Sequence, residues 1–145
     1  MSFDDETESR IVEKVEYIEQ AVTVLSRKQS LALSEYLADR EQQAIVEREF
    51  QTALEACIDI AELLLKSLSG TVPETNAEKF ARLGQIDVLS PETAKAMQEA
   101  ARFRNVLAHT YGFDLDNEKI FRHFQSDLHW FLTFLTEVRA ALTDD

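Results

Sequence analysis

Residues 39–70 read DREQQAIVEREFQTALEACIDIAELLLKSLSG. Within them Ile45, Val46, Phe50, Ala53, Leu54, Cys57, Ile58, Ala61, Leu64, Leu65 and Leu68 recur at spacings of three and four, the period of an α-helix. Asp39 supplies an N-cap carboxylate and Gly70 a residue that can take the positive φ at which helices commonly stop. The apolar stripe is too broad for one neighbour, so the segment is expected to be a central helix packed on several others. Opposite the stripe runs a polar row of Arg48, Thr52, Glu55, Asp59, Glu62 and Lys66.

The same period extends outward from this helix. Ile11, Val15, Ile18, Val22 and Leu25 form a seam within residues 5–29, giving a helix of about six turns. Ser30 to Asp39 reads as a connector with one helical turn and an apolar pair, Leu33 and Leu37. Thr71 to Thr75 is a loop around Pro73; Asn76 can cap a short helix that Gly84 breaks after Leu83. Ser90-Pro91-Glu92 is a helix start, with a capping hydroxyl, proline at the first position and an acid in the first turn. A last helix is expected from about Asn117 to Leu142, burying Ile120, Phe121, Phe124, Leu128, Phe131, Leu132, Leu135 and Val138. Three glycines and two prolines in 145 residues leave little turn chemistry for a protein of short strands. The expected fold is all-α, an antiparallel bundle of four long helices and one short one in a single domain spanning 1–145, with disorder confined to residues 1–8 and 144–145.

Composition narrows the function. The net charge of −12 argues against a broad basic face for nucleic acid, yet the charge is uneven. Residues 1–19 carry seven acids against Arg10 and Lys14, whereas Arg102 to Tyr111 carries two arginines and a histidine with no acid. No apolar run approaches the roughly 20 residues that span a bilayer, and the acidic start lacks a signal peptide's positive region, so the expectation is a cytoplasmic protein without membrane contact. Cys57 lies in the apolar pattern and reads as a buried, inert thiol.

The residues with chemistry gather in Arg102-Phe103-Arg104-Asn105-Val106-Leu107-Ala108-His109-Thr110-Tyr111-Gly112. Phe103, Val106 and Leu107 give this helix one buried stripe, and Gly112 stops it near Tyr111. A guanidinium, an imidazole and a phenol at a helix end suit an anionic ligand or a phosphoester. At about 100° per residue, Arg104 and His109 diverge by roughly 140° on an ideal helix. Arg102 and His109 line up but stand about 10.5 Å apart along the axis. Asn105 and His109 share a face. If Arg104 and His109 act on one phosphate, the helix deforms near His109 or two subunits share the site. Both arginines at the surface, with His109 as a helix cap, remains open on spacing alone. The row Glu55–Asp59–Glu62–Lys66 likewise has two readings: a solvated face with a Glu62–Lys66 pair, or a carboxylate of Glu55 or Asp59 turned inward to orient an arginine. No metal is expected, because His109, His123 and His129 lack zinc spacings and Glu55 and Asp59 lack a Glu-x-x-His companion. His129, beside Trp130, reads as a helix or interface residue.

Arg104-Asn105-Val106-Leu107-Ala108-His109-Thr110-Tyr111 resembles the Arg-x4-His-x-Tyr pattern of the HepT-like branch of the HEPN superfamily. Glu16-Tyr17-Ile18 and Glu55-Ala56-Cys57-Ile58-Asp59-Ile60-Ala61 are similar to that family as well, and segment order agrees over roughly residues 10–140. The resemblance implies an all-helical homodimer, the toxin of a toxin–antitoxin pair, whose partner is an MntA-type minimal nucleotidyltransferase. It implies a metal-independent endonuclease acting on RNA, transfer or messenger, with no cofactor. Arg104 and His109 become the catalytic pair, Asn105 and Arg102 supporting groups of the pocket, and Tyr111 the acceptor of AMP from the antitoxin. One histidine does not easily serve as both base and acid, so a site holding two copies of His109 at the dimer interface is the preferred arrangement. A non-catalytic module that binds a nucleotide or a partner enzyme is the alternative.

Overall fold

The computed structural model describes residues 3–110 and 115–143. Helix α1, Asp5–Lys28, starts where the Asp4 carboxylate accepts the Thr7 N–H at 2.7 Å. That hydrogen bond holds the Asp4 carboxyl below its usual range. Asp5, Glu6 and Glu8 lie in the first turn, where negative charge faces the positive end of the helix dipole. The acidic stretch from Asp5 through Glu8 is therefore helix rather than disordered chain.

Helix α2, Leu33–Ala38, is the expected turn, but its anchor is Tyr36 and not the Leu33–Leu37 pair. The Tyr36 ring is fully buried against Phe121 and Phe124, while Leu37 is exposed. Asp39 then caps α3, Arg40–Leu68, accepting N–H groups from Glu41 and Gln42. Gly70, at φ 74, turns the chain out of it. Helix α3 is the axis of the molecule: it touches α1 and α2 on one side and three later helices on the others. Ala56 and Ile60 are buried along with the stripe, so nearly its whole circumference is covered between Ala53 and Leu65.

Helix α4, Asn76–Gln85, is capped by the Thr75 hydroxyl rather than by Asn76. Gly84 does not break it. A Cβ there would stand 2.8 Å from the Ala94 Cβ, so the missing side chain lets α4 press against the next helix. That helix, α5, Pro91–His109, opens at Ser90, whose hydroxyl accepts the Thr93 N–H. Glu137 accepts from the Ser90 N–H and the Thr93 hydroxyl, tying the start of α5 to the last helix.

The last segment is two helices, α6, Asn117–Ser126, and α7, Leu128–Thr143, parted at Asp127. The Asp127 carboxylate takes His123 Nδ1 at 2.7 Å and the Ser126 hydroxyl at 3.1 Å. A short polar side chain that bonds locally competes with the helix in this way. Gln29, at the end of α1, donates to the Phe124 and Gln125 carbonyls near the break, and the Gln125 amide returns a bond to the Gln29 carbonyl. The expected single helix is thus interrupted beside the end of α1. Leu132, assigned to its buried face, is exposed. The seven helices among the described residues keep the all-α bundle architecture. None of them is long and apolar enough to cross a membrane.

Candidate active site

Helix α5 carries the arginine–histidine stretch to its C-terminal end. It runs to His109, with Thr110 in extended conformation as its C-cap. The Thr110 N–H still bonds the Val106 carbonyl at 3.0 Å, the ordinary i to i−4 ladder. The helix is therefore regular where a deformation would have been needed. Its expected end near Tyr111 moves back two residues; Tyr111 and Gly112 themselves lie outside the described residues.

Phe103 and Leu107 are buried one turn apart, but Val106 is 45% exposed and leaves the expected stripe. It lies about 100° from Leu107 and faces outward with Arg102, Asn105 and His109. These four residues follow the i, i+3, i+4, i+7 pattern of a single helix face.

Arg104 is turned the other way, toward α3. Its Nη2 donates to Glu55 Oε1 at 3.0 Å, and the same carboxylate oxygen accepts the Gln51 amide at 3.2 Å. Nη1 lies 3.3 Å from the Asn105 amide oxygen. The Arg104 Nε is buried and has no hydrogen-bond partner among the described residues. Glu55 is the carboxylate of the polar row that orients an arginine, as one reading anticipated, although its side chain stays part exposed. Asp59 instead meets Lys14 of α1 at 3.4 Å, and Glu62 meets Lys79 of α4 at 2.6 Å. The Glu62–Lys66 pair of the other reading is not formed, because the buried Lys79, which also donates to Asn76, captures Glu62.

Within one chain the structure thus brings Arg104, Asn105 and Glu55 together. It leaves His109 and Arg102 on the exposed face, separated from Arg104 by the full helical divergence. An arginine fixed by a carboxylate keeps its remaining N–H groups in a set direction and can present them to a phosphate oxygen. An exposed imidazole at a helix end can exchange protons with an incoming group.

A second feature escaped the sequence reading. The His123 ring stacks on Phe103, with centroids 4.2 Å apart and planes at 28°, while its Nδ1 meets Asp127. The pair borders a small cleft of about 70 Å³ whose walls include Phe50, Met97 and Trp130. The sequence signal was the four-residue spacing of His123 and Asp127, which on a helix places both on one side. His129 bonds the Ser126 carbonyl and lies beside Trp130.

Comparison with known proteins adds the family. The family described as ribonuclease HepT-like matches residues 11–138. The chain belongs to this family. Its membership bears out the resemblance drawn from Arg104 to Tyr111 and the ribonuclease class that went with it. The tRNA nuclease HepT of Aphanizomenon flos-aquae (strain 2012/KM1/D3) is 32% identical over 129 residues, covering 89% of this chain and 87% of that protein. A toxin–antitoxin crystal structure with AMP-PNP matches with a TM-score of 0.82 at 21% identity, over 91% of this chain and 98% of the other. The tri-AMPylated HEPN toxin of Shewanella oneidensis, solved in complex with its MNT antitoxin, matches with a TM-score of 0.82 at 22% identity, over 95% and 99%. The two solved structures share this helical architecture.

Proposed function

We propose that this HepT-like ribonuclease is the toxin half of a toxin–antitoxin pair, a cytoplasmic endonuclease that cuts RNA without a metal at a site completed in a homodimer. The observation that carries the reading is the opposite placement of Arg104 and His109 on an undistorted helix. A single chain offers a fixed guanidinium and an exposed imidazole that face different ways, which suits a site assembled from two copies. The name of the 32% identical relative, a tRNA nuclease, supports RNA as the substrate and transfer RNA as its first candidate.

In this reading one His109 takes the proton of a ribose 2′-hydroxyl as its oxygen attacks the adjacent phosphorus. The second His109, from the partner subunit, gives a proton to the departing 5′-oxygen. The products are a 2′,3′-cyclic phosphate and a free 5′-hydroxyl, so no water or metal-bound nucleophile is consumed. Arg104 binds the non-bridging oxygens, whose negative charge grows at the pentavalent stage. Glu55 keeps Arg104 in position, and Asn105 and Arg102 line the approach.

Silencing belongs to the same reading and is carried by the sequence position of Tyr111. An MntA-type nucleotidyltransferase antitoxin transfers AMP from ATP to the Tyr111 hydroxyl, two residues beyond His109 in the sequence, releasing pyrophosphate, and the added phosphate and adenosine occupy the place of RNA. The AMPylated Shewanella oneidensis toxin, bound to its own MNT antitoxin, supports this part of the reading.

The test is a pair of measurements. His109→Ala is expected to abolish RNA cleavage and growth arrest, by at least about 100-fold for loss of acid–base catalysis, while the helical signal and the dimer persist. Undiminished cleavage by that variant overturns the assignment and leaves a binding module. Intact mass after co-expression with the antitoxin is expected to show increments of one or more AMP units that vanish in Tyr111→Phe; increments that survive the change place the acceptor elsewhere.

A further inference from the structure

The cleft that His123 and Asp127 border lies between α5 and the break that parts α6 from α7. Two buried rings, Phe50 of α3 and Phe131 of α7, form its floor. The half-buried Trp130 stands above them, and the rim is polar. His123 and Asp127 are partly exposed on one side. On the other, Glu99 of α5 is exposed and has no ion-pair partner among the described residues.

This rim is made almost wholly of hydrogen-bond acceptors. Glu99 and Asp127 are carboxylates, and a neutral His123 ring whose Nδ1 donates to Asp127 keeps Nε2 as an acceptor. Carboxylates beside aromatic faces select a cation. A phosphate is repelled there, and an apolar side chain would cover the carboxylates without bonding them. Size narrows the choice. At roughly 10–15 Å³ for each water, a cleft of about 70 Å³ holds about five water-sized atoms. A guanidinium with its first methylene fits that space, and a purine exceeds it. The guanidinium is also planar, weakly hydrated and able to stack on an indole while donating to carboxylates, as the compact ammonium of lysine is not.

We infer that this cleft receives an arginine side chain of the nucleotidyltransferase antitoxin, held between Trp130 and the carboxylates of Glu99 and Asp127. Two features single out that partner. The cleft is walled by Phe103, and from Phe103 to His109 the regular α5 rises about 9 Å, with Tyr111 following two residues later in the sequence. An enzyme that modifies Tyr111 has to sit over this end of α5. The chain's net charge of −12 also draws a partner that presents cations. The inference rests on the antitoxin reading above and adds where the antitoxin grips.

Trp130 is the chain's sole tryptophan, so intrinsic fluorescence reports on this cleft alone. Titration with N-acetyl-arginine amide at constant ionic strength is expected to change its emission saturably in the millimolar range, and N-acetyl-leucine amide to leave it unchanged. Glu99→Gln should weaken the arginine response about fivefold, and Ala100→Leu, which fills the cleft without altering charge, should abolish it. In AMP transfer by the antitoxin, both variants are expected to raise KM for the toxin about tenfold with kcat unchanged, while the unmodified variants cleave RNA as wild type does. One KM for wild type and both variants overturns the cleft as the point of grip and leaves the antitoxin reading standing. No AMP on wild type, with the arginine response intact, sinks the antitoxin reading and the named partner with it. If Glu99→Gln splits the homodimer in sedimentation, the occupant is a second copy and the antitoxin assignment falls. If cytidine monophosphate shifts Trp130 emission and RNA cleavage falls in Glu99→Gln, the cleft binds a nucleobase and the assignment falls as well.

Discussion

Arg104 reaches α3 with one nitrogen on Glu55 and another near Asn105, and Gln51 approaches the same Glu55 oxygen from the turn before. Three side chains from two helices therefore decide where the guanidinium points. Glu55→Gln keeps the shape and removes the charge. Because the pair is partly exposed, its loss should change stability by no more than about 1 kcal/mol. The loss of direction should be felt in turnover instead: kcat is expected to fall about tenfold with KM little altered, since misplacing a group that acts in the transition state costs rate more than binding. Steady-state kinetics beside thermal melts checks this, and a fall in Tm that matches the fall in activity would make Glu55 a purely structural residue. Arg104 and its carboxylate were half legible in the sequence. The period of α3 placed Glu55, Asp59 and Glu62 in one row, but it could not say which of them an arginine some fifty positions away would choose. The capture of Glu62 by Lys79 was equally out of reach, because local spacing favours the four-residue pair and only tertiary packing brings α4 alongside.

Among the elements, α5 matters most, because its axis sets both Arg104 and His109. Its start is fastened by Glu137 from α7, and its flank lies so close to α4 that Gly84 faces Ala94 with no room for a methyl. Gly84→Ala is expected to destabilise the fold by about 1–3 kcal/mol, the usual cost of overpacking, despite the better helix propensity of alanine. Chemical denaturation measures the loss, and Gly84→Ala combined with Ala94→Gly should recover part of it if the clash is the cause. Glycine punctuation misled the sequence reading here: a residue that favours turns was placed inside a helix for its lack of bulk. The break at Asp127 was hidden for the opposite reason. No glycine or proline marks it, and the Gln29 side chain that meets the carbonyls beside it stands some 95 residues away. Caps with local chemistry fared better. Asp39, Ser90 and the stop at Gly70 stand where side-chain hydrogen bonding and positive φ put them.

For the whole molecule the open face of α5 is the decisive surface. Arg102, Asn105, Val106 and His109 line it, and an exposed valine beside the His109 imidazole is the kind of apolar contact that a second copy would cover. If two His109 side chains serve one site as base and acid, a dimer with a single His109→Ala subunit has lost one of the two and is inactive. After full subunit exchange at equal concentrations, random pairing leaves about a quarter of the dimers wholly wild type and about half mixed. A shared site then retains about a quarter of the activity of the same total number of wild-type dimers. Independent sites, one per subunit, retain about half. Titrating tagged wild type with increasing His109→Ala and fitting the fall in cleavage distinguishes a quadratic from a linear dependence on the wild-type fraction. The same titration with Arg104→Ala asks whether both guanidinium groups are needed: a linear fall there beside a quadratic fall for His109 would give each cut one arginine and two histidines, the division of labour that the opposite facing of these side chains on α5 suggests.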